Sequence, residues 1–471
     1  MICYSRCGAK QKPVTVLIKS LLLVVLSGFP LGYSWAAAET ASTGNVSMET
    51  VGYLGQAHAD RESIFSSMRA NWEGSTWGRL FDTHAQANLM LTLNHTAYSF
   101  ADLPDAYLAT SAALSPVQVA LGRKTESWNK LDQFWSLGIW EPRFRWDYLA
   151  PQEVGLMGTF ATLDQHWFRL TAFGSPIFIP ERGVPVEFKD GVFTSLSPWF
   201  LNLPSQGNLL GTPTPIRYQL VSPSVMDIVS HFGLGFLFRV GEKTGPWGSV
   251  GYTYKPINQL LIGYDGKYDL STTTIKANLY PRVLYHELTS LEVGYGGTPV
   301  EGWISMLKEQ PIRDQTLPSL RTQEIQDSLA LASMLGIDLW GKGASATRVE
   351  LGSLLQWGGD APDLGPDSQP GVNTFESRYP FQNAGVVSVK TPLFGRLGRH
   401  WTVLGKMLYD FGNLGTILET EVKYSPNPKW MMTLGLEVLG STRELQAGAT
   451  MDFISRYRAN DRVHGGISYV F

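Results

Sequence analysis

Residues Arg462-Val-His-Gly-Gly-Ile-Ser-Tyr-Val-Phe471 are the stretch from which the fold is read. Counting back from Phe471, alternate residues are Phe471, Tyr469, Ile467 and Gly465, and those between are Val470, Ser468, Gly466 and His464. One face is mainly large and apolar and the other mainly small or polar, which is the period of a strand and not of a helix. A chain that stops on an exposed aromatic strand presents an aggregation-prone edge to water. The same edge is stable where it closes a ring of strands and its aromatic face meets lipid.

These ten residues resemble the terminal strand of Gram-negative outer-membrane β-barrels, where a final Phe after alternating apolar residues is read by the barrel-assembly machinery. The resemblance implies that Tyr469 and Phe471 act as an assembly signal. It also implies that machinery as a partner, with outer-membrane lipid and lipopolysaccharide as the surroundings. As a motif it covers the last strand and the leader, and as a pattern most of the chain between; it points to the porin-like superfamily and to no narrower family.

Residues 1–38 have the form of a cleaved signal peptide. Arg6, Lys10, Lys12 and Lys19 are positive, Leu21 to Phe29 is an apolar core, and Ala36, Ala37 and Ala38 suit cleavage before Glu39. The core falls short of the ~20 residues a membrane helix needs, and Pro30 interrupts it. Cys3 and Cys7 both lie in this leader and neither follows an apolar stretch, which argues against a lipoprotein. The mature chain then has no cysteine for disulfides, thiol catalysis or metal binding. Export with no need of a disulfide suits the periplasm or the outer membrane.

After residue 38 no apolar run approaches the length of a membrane helix. Aromatics nevertheless make up 12% of the chain and Gly 48 of 471 residues, while hydropathy is near neutral. Strands that alternate lipid-facing and water-facing side chains produce that combination, because hydrophobicity cancels along each one. The net charge of −3 gives no sign of a nucleic-acid partner.

The fold expected is all-β, a single transmembrane antiparallel β-barrel filling residues 39–471. With ~10-residue strands, short turns and longer outer loops, the length favours 16 or 18 strands. Asn45 to Ala57 is the first candidate strand, and its early start leaves no room for the plug of a TonB-dependent transporter. In Leu80 to Leu93, Phe81, Thr83, Ala85, Ala87, Leu89, Leu91 and Leu93 share one face, and Asp82, His84, Gln86 and Asn88 the other. Tyr107 to Lys124 carries Val117, Val119 and Leu121 on one face. In Trp140 to Asp147, Trp140, Phe144 and Trp146 alternate with Glu141, Arg143, Arg145 and Asp147. Charge at a bilayer midplane costs roughly 2–4 kcal/mol for Arg or Lys. The aromatics are therefore expected on the lipid side or at the interface, and the four charges toward the lumen or a loop.

Val154 to Thr162 and His166 to Phe173 form a candidate hairpin. Residues 174–215 then break the rhythm with seven prolines. A loop of that length is usually functional or disordered, and this one is expected to constrict the lumen or cap the outer mouth. Phe232, Leu234, Phe236 and Phe238 face lipid on a further strand. Residues 270–307 hold three or four strands of unsettled register, interrupted by Pro281 and Pro299. Ser328 to Trp340 and Ala346 to Trp357 are a hairpin across Gly341 to Ala344, and the acidic Gly358 to Glu376 is an outer loop. If the turn at Ser425 to Lys429 is periplasmic, strand parity makes residues 440–461 an outer loop and leaves Phe471 at the periplasmic rim.

Motifs for chemistry are mostly missing: there is no Walker loop, dinucleotide fingerprint, HExxH or Gly-x-Ser-x-Gly. Asp82 and His84 at i, i+2 are the residues expected of a lumen face, and no catalytic residue, metal ligand or cofactor is assigned. His400 and His464 lack companions at metal-ligand spacing, and Asp360, Asp363 and Asp367 lack the dense ligand pattern of a calcium loop. The functional candidates are lumen-facing charges of nearly balanced sign. They are Asp82, His84, Glu141, Arg143, Arg145, Asp147, Arg169, Arg348, Glu350, Lys406, Asp410, Glu419 and Glu421, with Lys276, Asp338 and Lys423 beside them.

Rings of one sign, which would argue ion selectivity, are not evident. The expected function is an outer-membrane, porin-like channel for small hydrophilic solutes. The alternative is a structural barrel of an envelope complex, serving surface-polysaccharide export or motility with periplasmic partner proteins; an outer-membrane enzyme comes third.

Overall fold

The computed structural model describes residues 39–471 apart from 56–60, 114, 201–202, 204, 243, 313–320, 323–324, 341–345, 360–377, 394–399 and 443–451. The leader, the Gly341 to Ala344 turn and the acidic segment with Asp360, Asp363 and Asp367 lie outside the described residues.

Eighteen strands form one closed antiparallel barrel. In chain order they begin with β1 (Glu39–Tyr53), β2 (Ile64–Trp77), β3 (Phe81–Thr92), β4 (Phe100–Thr110), β5 (Val117–Lys124) and β6 (Leu156–Asp164). There follow β7 (Phe168–Ser175), β8 (Gly233–Gly241), β9 (Gly245–Pro256), β10 (Tyr285–Gly296), β11 (Val300–Pro311) and β12 (Ser328–Trp340). The wall ends with β13 (Thr347–Gly358), β14 (Asn383–Pro392), β15 (Trp401–Asp410), β16 (Gly415–Asn427), β17 (Trp430–Ser441) and β18 (Arg462–Val470).

The quoted terminal strand closes this ring. It pairs with β17 on one side and with β1 on the other, where Asn45 stands opposite Val470 and Tyr53 opposite Arg462. Phe471 extends the seam, its N–H donating to the Gly44 carbonyl at 2.9 Å and its carbonyl accepting from the Gly44 N–H at 3.1 Å. No sheet edge is left in the wall, which is the condition for strands to cross lipid.

The alternation read from sequence is the alternation of the wall. On β8, Leu234, Phe236 and Phe238 are exposed outward while Gly233, Gly235 and Leu237 are buried inward. On β12, Leu329, Leu331 and Leu335 face out, and Ala330, Ala332 and Met334 face in. Repeated around the ring, this leaves a continuous apolar belt far larger than a soluble protein exposes, and lipid is the solvent that suits it. Among the described residues no helix is long and apolar enough to cross a membrane.

Antiparallel order sorts the connections to two ends. Short turns at 78–80, 165–167, 242–244, 297–299 and 428–429 lie at one end, and the long connections 125–155, 176–232 and 257–284 at the other. Phe471 lies at the short-turn end, together with the turn between β16 and β17, and the connection from β17 to β18 is at the long-loop end.

Three expected elements differ. Tyr107 to Lys124 is two strands, β4 and β5, folded at 111–116. The stretch 270–307 mixes β10 and part of β11 with a hairpin, Leu261–Asp269 and Thr274–Arg282, that belongs to a separate five-stranded sheet built from the long connections. Lys276 sits on that hairpin, largely exposed and 2.6 Å from Asp269, so it does not face the lumen. Trp140 to Asp147 is not a wall strand at all; only Arg143–Phe144 pairs, with Gln152–Glu153, inside the connection from β5 to β6.

Candidate functional site

The interior has two storeys. In the half nearer the long loops the inward residues are mostly apolar and buried: Phe65, Met90, Phe160, Phe173, Leu288, Leu307, Leu354, Leu408 and Leu439. They are covered by chain that folds into the barrel. Residues 125–155 leave the wall at Lys124 and return opposite it at Leu156, so this segment is an excursion from one hairpin.

Local chemistry shapes the excursion. Helix α1 (Lys130–Trp135) starts at Asn129, whose side-chain oxygen accepts the Asp132 N–H at 2.9 Å. It stops at Ser136, which has φ 52°. The Asp132 carboxylate accepts the N–H groups of Ile139 and Trp140 at 3.0 and 2.9 Å, folding the chain back so that Trp140 stacks on Trp128 at 5.3 Å.

Glu292 on β10 docks this segment on the far wall. Its carboxylate accepts from Asn129 Nδ2 at 3.0 Å, from the Lys130 N–H at 2.5 Å, and from the hydroxyls of Ser305 and Ser249 at 2.9 Å each. These four donors satisfy the hydrogen-bonding needs of the buried carboxylate. Asn258 Nδ2 donates to the carbonyls of Gly138 and Ile139 at 2.8 and 3.0 Å. At Gly352 on β13 an added Cβ would stand 2.7 Å from the Phe134 ring, so glycine there lets the segment lie flat on the wall.

Further loops complete the filling. Trp199 from the 176–232 connection stacks on Tyr148 at 5.8 Å and meets Tyr457, while Trp135 meets Phe381 at 5.9 Å. A buried ionic knot ties down the connection between β13 and β14. Glu309 accepts from His286 Nδ1, from Arg378 Nη1 and from the Tyr379 hydroxyl, which also pairs with Ser328 at 2.7 Å. Burial, reinforced by the Glu309 charge, pushes the Tyr379 phenol well above its ordinary value, so it remains a donor.

The four charges expected on a strand from Trp140 to Asp147 are inside the barrel, but on the excursion. Arg143 pairs with Glu153 at 3.4 Å, Arg145 with Glu181 at 3.3 Å, and Asp147 with Arg462 at 2.7 Å. Glu141 accepts the Glu126 N–H at 2.7 Å, and burial raises its pKa well above the carboxylate range. The aromatics between them meet no lipid, since Trp140 and Phe144 are buried. A period of two separates two faces without saying whether the apolar one meets acyl chains or a packed interior.

Toward the short-turn end the inward residues are polar and partly exposed. Arg348 gathers three carboxylates, those of Glu350 at 2.7 Å, Asp338 at 3.5 Å and Glu301. Lys406 pairs with Glu419 at 3.0 Å, Lys423 with Glu421 at 2.8 Å, and Arg169 with Glu126 at 3.0 Å. The His464 ring lies over Gly435, 4.0 Å from Glu421 and 3.9 Å from Glu437. Signs are mixed around the ring.

Asp410 also points inward, but it is fully buried and caps its own turn, accepting from Asn413 Nδ2 at 2.9 Å and from the Gly412 N–H at 3.0 Å. Asp82 and His84 face inward on β3, with His84 Nδ1 2.9 Å from the Ser75 hydroxyl. Among the described residues no carboxylate is hydrogen-bonded to the other ring nitrogen, as a hydrolytic triad requires. No cluster of three or more His, Asp or Glu among those residues is arranged to hold a metal. Tyr469 and Phe471 face outward, Tyr469 packing on Trp430 at 5.0 Å.

Sequence reasoning missed Asn129, His286, Glu292, Glu309 and Arg378. One signal was present: His286, Leu288, Ser290 and Glu292 alternate with Glu287, Thr289, Leu291 and Val293. Both phases carry a glutamate, which hides the register.

No protein-family model matches the chain, and no curated protein does. Among solved structures it is similar to Pseudomonas aeruginosa OccK2 (OpdF) in complex with glucuronate, at 9% identity and TM-score 0.50, covering 93% of this chain and 99% of that one. P. aeruginosa OccK9 (OpdG) aligns at 11% identity and TM-score 0.49, covering 92% and 97%. Salmonella typhi OmpF in complex with daunomycin aligns at 9% and 0.42, covering 92% and 97%. At these identities the likeness is one of fold. The chain has a porin-like β-barrel fold.

Proposed function

We propose that this barrel is an outer-membrane channel for small hydrophilic solutes, closed at rest by its own inserted segments. The observation that carries the proposal is the charge-lined, partly exposed inner half, enclosed by a wall whose outer surface is an apolar belt. Barrels of 16–18 strands are wide enough to leave an aqueous channel. The short-turn end is assigned to the periplasm and the long loops to the cell exterior, with lipid and lipopolysaccharide around the belt. Mixed charge favours uncharged or zwitterionic solutes over strong ion selectivity.

Single-channel recording on refolded protein tests this. A small, infrequent conductance is expected from the intact chain. Silence both from the intact chain and from a form without residues 126–153 overturns the channel.

The packed outer half also favours a second reading, a structural barrel anchoring periplasmic partner proteins of an envelope complex. Such a barrel stays silent in bilayers and co-purifies with its partners.

Phe471 is assigned to recognition by the assembly machinery, because its ring lies exposed on the lipid face at the end of the closing seam. Deleting Phe471 is expected to lower the amount of heat-modifiable barrel in the outer membrane severalfold. Unchanged amounts in a fractionation experiment would remove the assignment.

A further inference from the structure

A recess opens in the inner wall between β2 and β6, on the side where the excursion begins, with a volume of about 150 Å³. Register explains it. Ala109 on β4 stands opposite Ala120 on β5, so two adjacent inward positions carry only a methyl group, while Trp77, Asp82, His84 and Tyr107 stand around them. At about 30 Å³ per water the space holds on the order of five waters.

We infer that this recess is a binding subsite for a neutral polyhydroxylated solute the size of one sugar ring. The inference rests on the channel reading and deepens it. The volume accommodates about one sugar ring, and the polar groups at the recess decide the class. Lys124, the cation there, is held by Glu126 at 3.0 Å and lies over the Tyr107 ring at 5.6 Å, so it is engaged and does not offer a free charge to an anion.

Asp82 uses one oxygen on the Gly78 N–H at 3.2 Å, and His84 uses Nδ1 on Ser75 at 2.9 Å. The second Asp82 oxygen, His84 Nε2, the Tyr107 hydroxyl and the Gln118 amide have no hydrogen-bond partner among the described residues. That set contains an acceptor-only group, groups that both donate and accept, and a ring nitrogen of either role. Hydroxyls, each a donor and an acceptor, can serve every member of such a set. The half-exposed Trp77 indole supplies an apolar face at the rim for the C–H side of a ring.

The experiment is a titration of purified, detergent-solubilised barrel, following Trp fluorescence and calorimetric heat. The probes are glucose, gluconate and glucosamine, identical in scaffold and different in charge. Glucose is expected to bind saturably and more tightly than either charged probe. Gln118→Ala is expected to weaken it about threefold to tenfold, the loss of one neutral hydrogen bond. Ala120→Leu, which fills the recess, is expected to abolish it, with heat-modifiable migration confirming an intact barrel in both variants.

Absence of saturable glucose binding, tighter binding of gluconate or of glucosamine, or full affinity in both variants each overturns the subsite. Because binding is measured without a membrane, conductance without glucose binding removes the subsite alone. Binding by a barrel that never conducts removes the channel and leaves the subsite standing.

Discussion

Excising residues 126–153 and joining the ends with a short Gly-Ser link is expected to raise single-channel conductance roughly tenfold or more, toward that of an open 16–18-stranded barrel. Lys124 and Leu156 are already paired across β5 and β6, so a tight turn can replace the excursion without disturbing the wall. What leaves is α1, the Trp128 and Trp140 stack, and the chain that meets Glu292. Glu292 would then be solvated by lumen water, so its charge adds no penalty. The cost falls on Leu288, Leu307 and Leu354, which lose their cover. At about 25 cal/mol per Å² of newly wetted apolar surface the variant is less stable, and it should lose heat-modifiable migration at a lower temperature. Conductance unchanged from the intact chain would mean that the excursion does not obstruct the path.

The second large effect is expected at Glu309. Its carboxylate is fully buried and serves His286, Arg378 and Tyr379 at once. Glu309→Ala strands the Arg378 guanidinium without its counter-charge. Breaking a buried pair from one side costs roughly 3–5 kcal/mol, and the cheapest relief is for residues 378–382 to leave the interior. Trypsin should then cut after Arg378 in the folded barrel, a bond the intact protein protects. Glu309→Gln keeps acceptor geometry and should be cut more slowly than the Ala variant. Equal protection of Arg378 in all three proteins would show that the knot does not hold this connection in place.

Much of the wall was legible because lipid and water impose opposite demands on alternate residues. Phe81 to Leu91 on one face, Asp82 to Asn88 on the other, and the two phases of β8 admit one register only. The candidate site was harder, and Trp140 to Asp147 shows why. Its aromatics and charges alternate as a wall strand's would, yet Trp140 stacks on Trp128 of the same excursion, Phe144 meets Phe100 on the inner wall, and Arg143, Arg145 and Asp147 pair with Glu153, Glu181 and Arg462. Pattern reports the difference between two faces, not what lies beyond each. Glu292 and Glu309 were invisible for a related reason. Each is an inward carboxylate on a strand whose other phase also carries charge, Glu287 on β10 and Lys308 on β11, and only the docked segments distinguish them. Asp82, His84, Arg169, Arg348, Glu350, Lys406, Glu419 and Glu421 lie on the inward phase of their strands.

The seam at Gly44 and Phe471 has a consequence for how the molecule comes into being. The first and last strands, farthest apart along the chain, are neighbours in space, so the pairing that seals the barrel forms across the largest sequence separation available. Contacts of that kind are slow, because chain entropy is lost before they contribute anything. Until β18 arrives, β1 and β17 are two unsatisfied ribbons bordered by lipid-seeking side chains, the form most prone to aberrant stacking. A chain cut short before residue 462 therefore keeps both borders open, because the strand that pairs with each of them is missing.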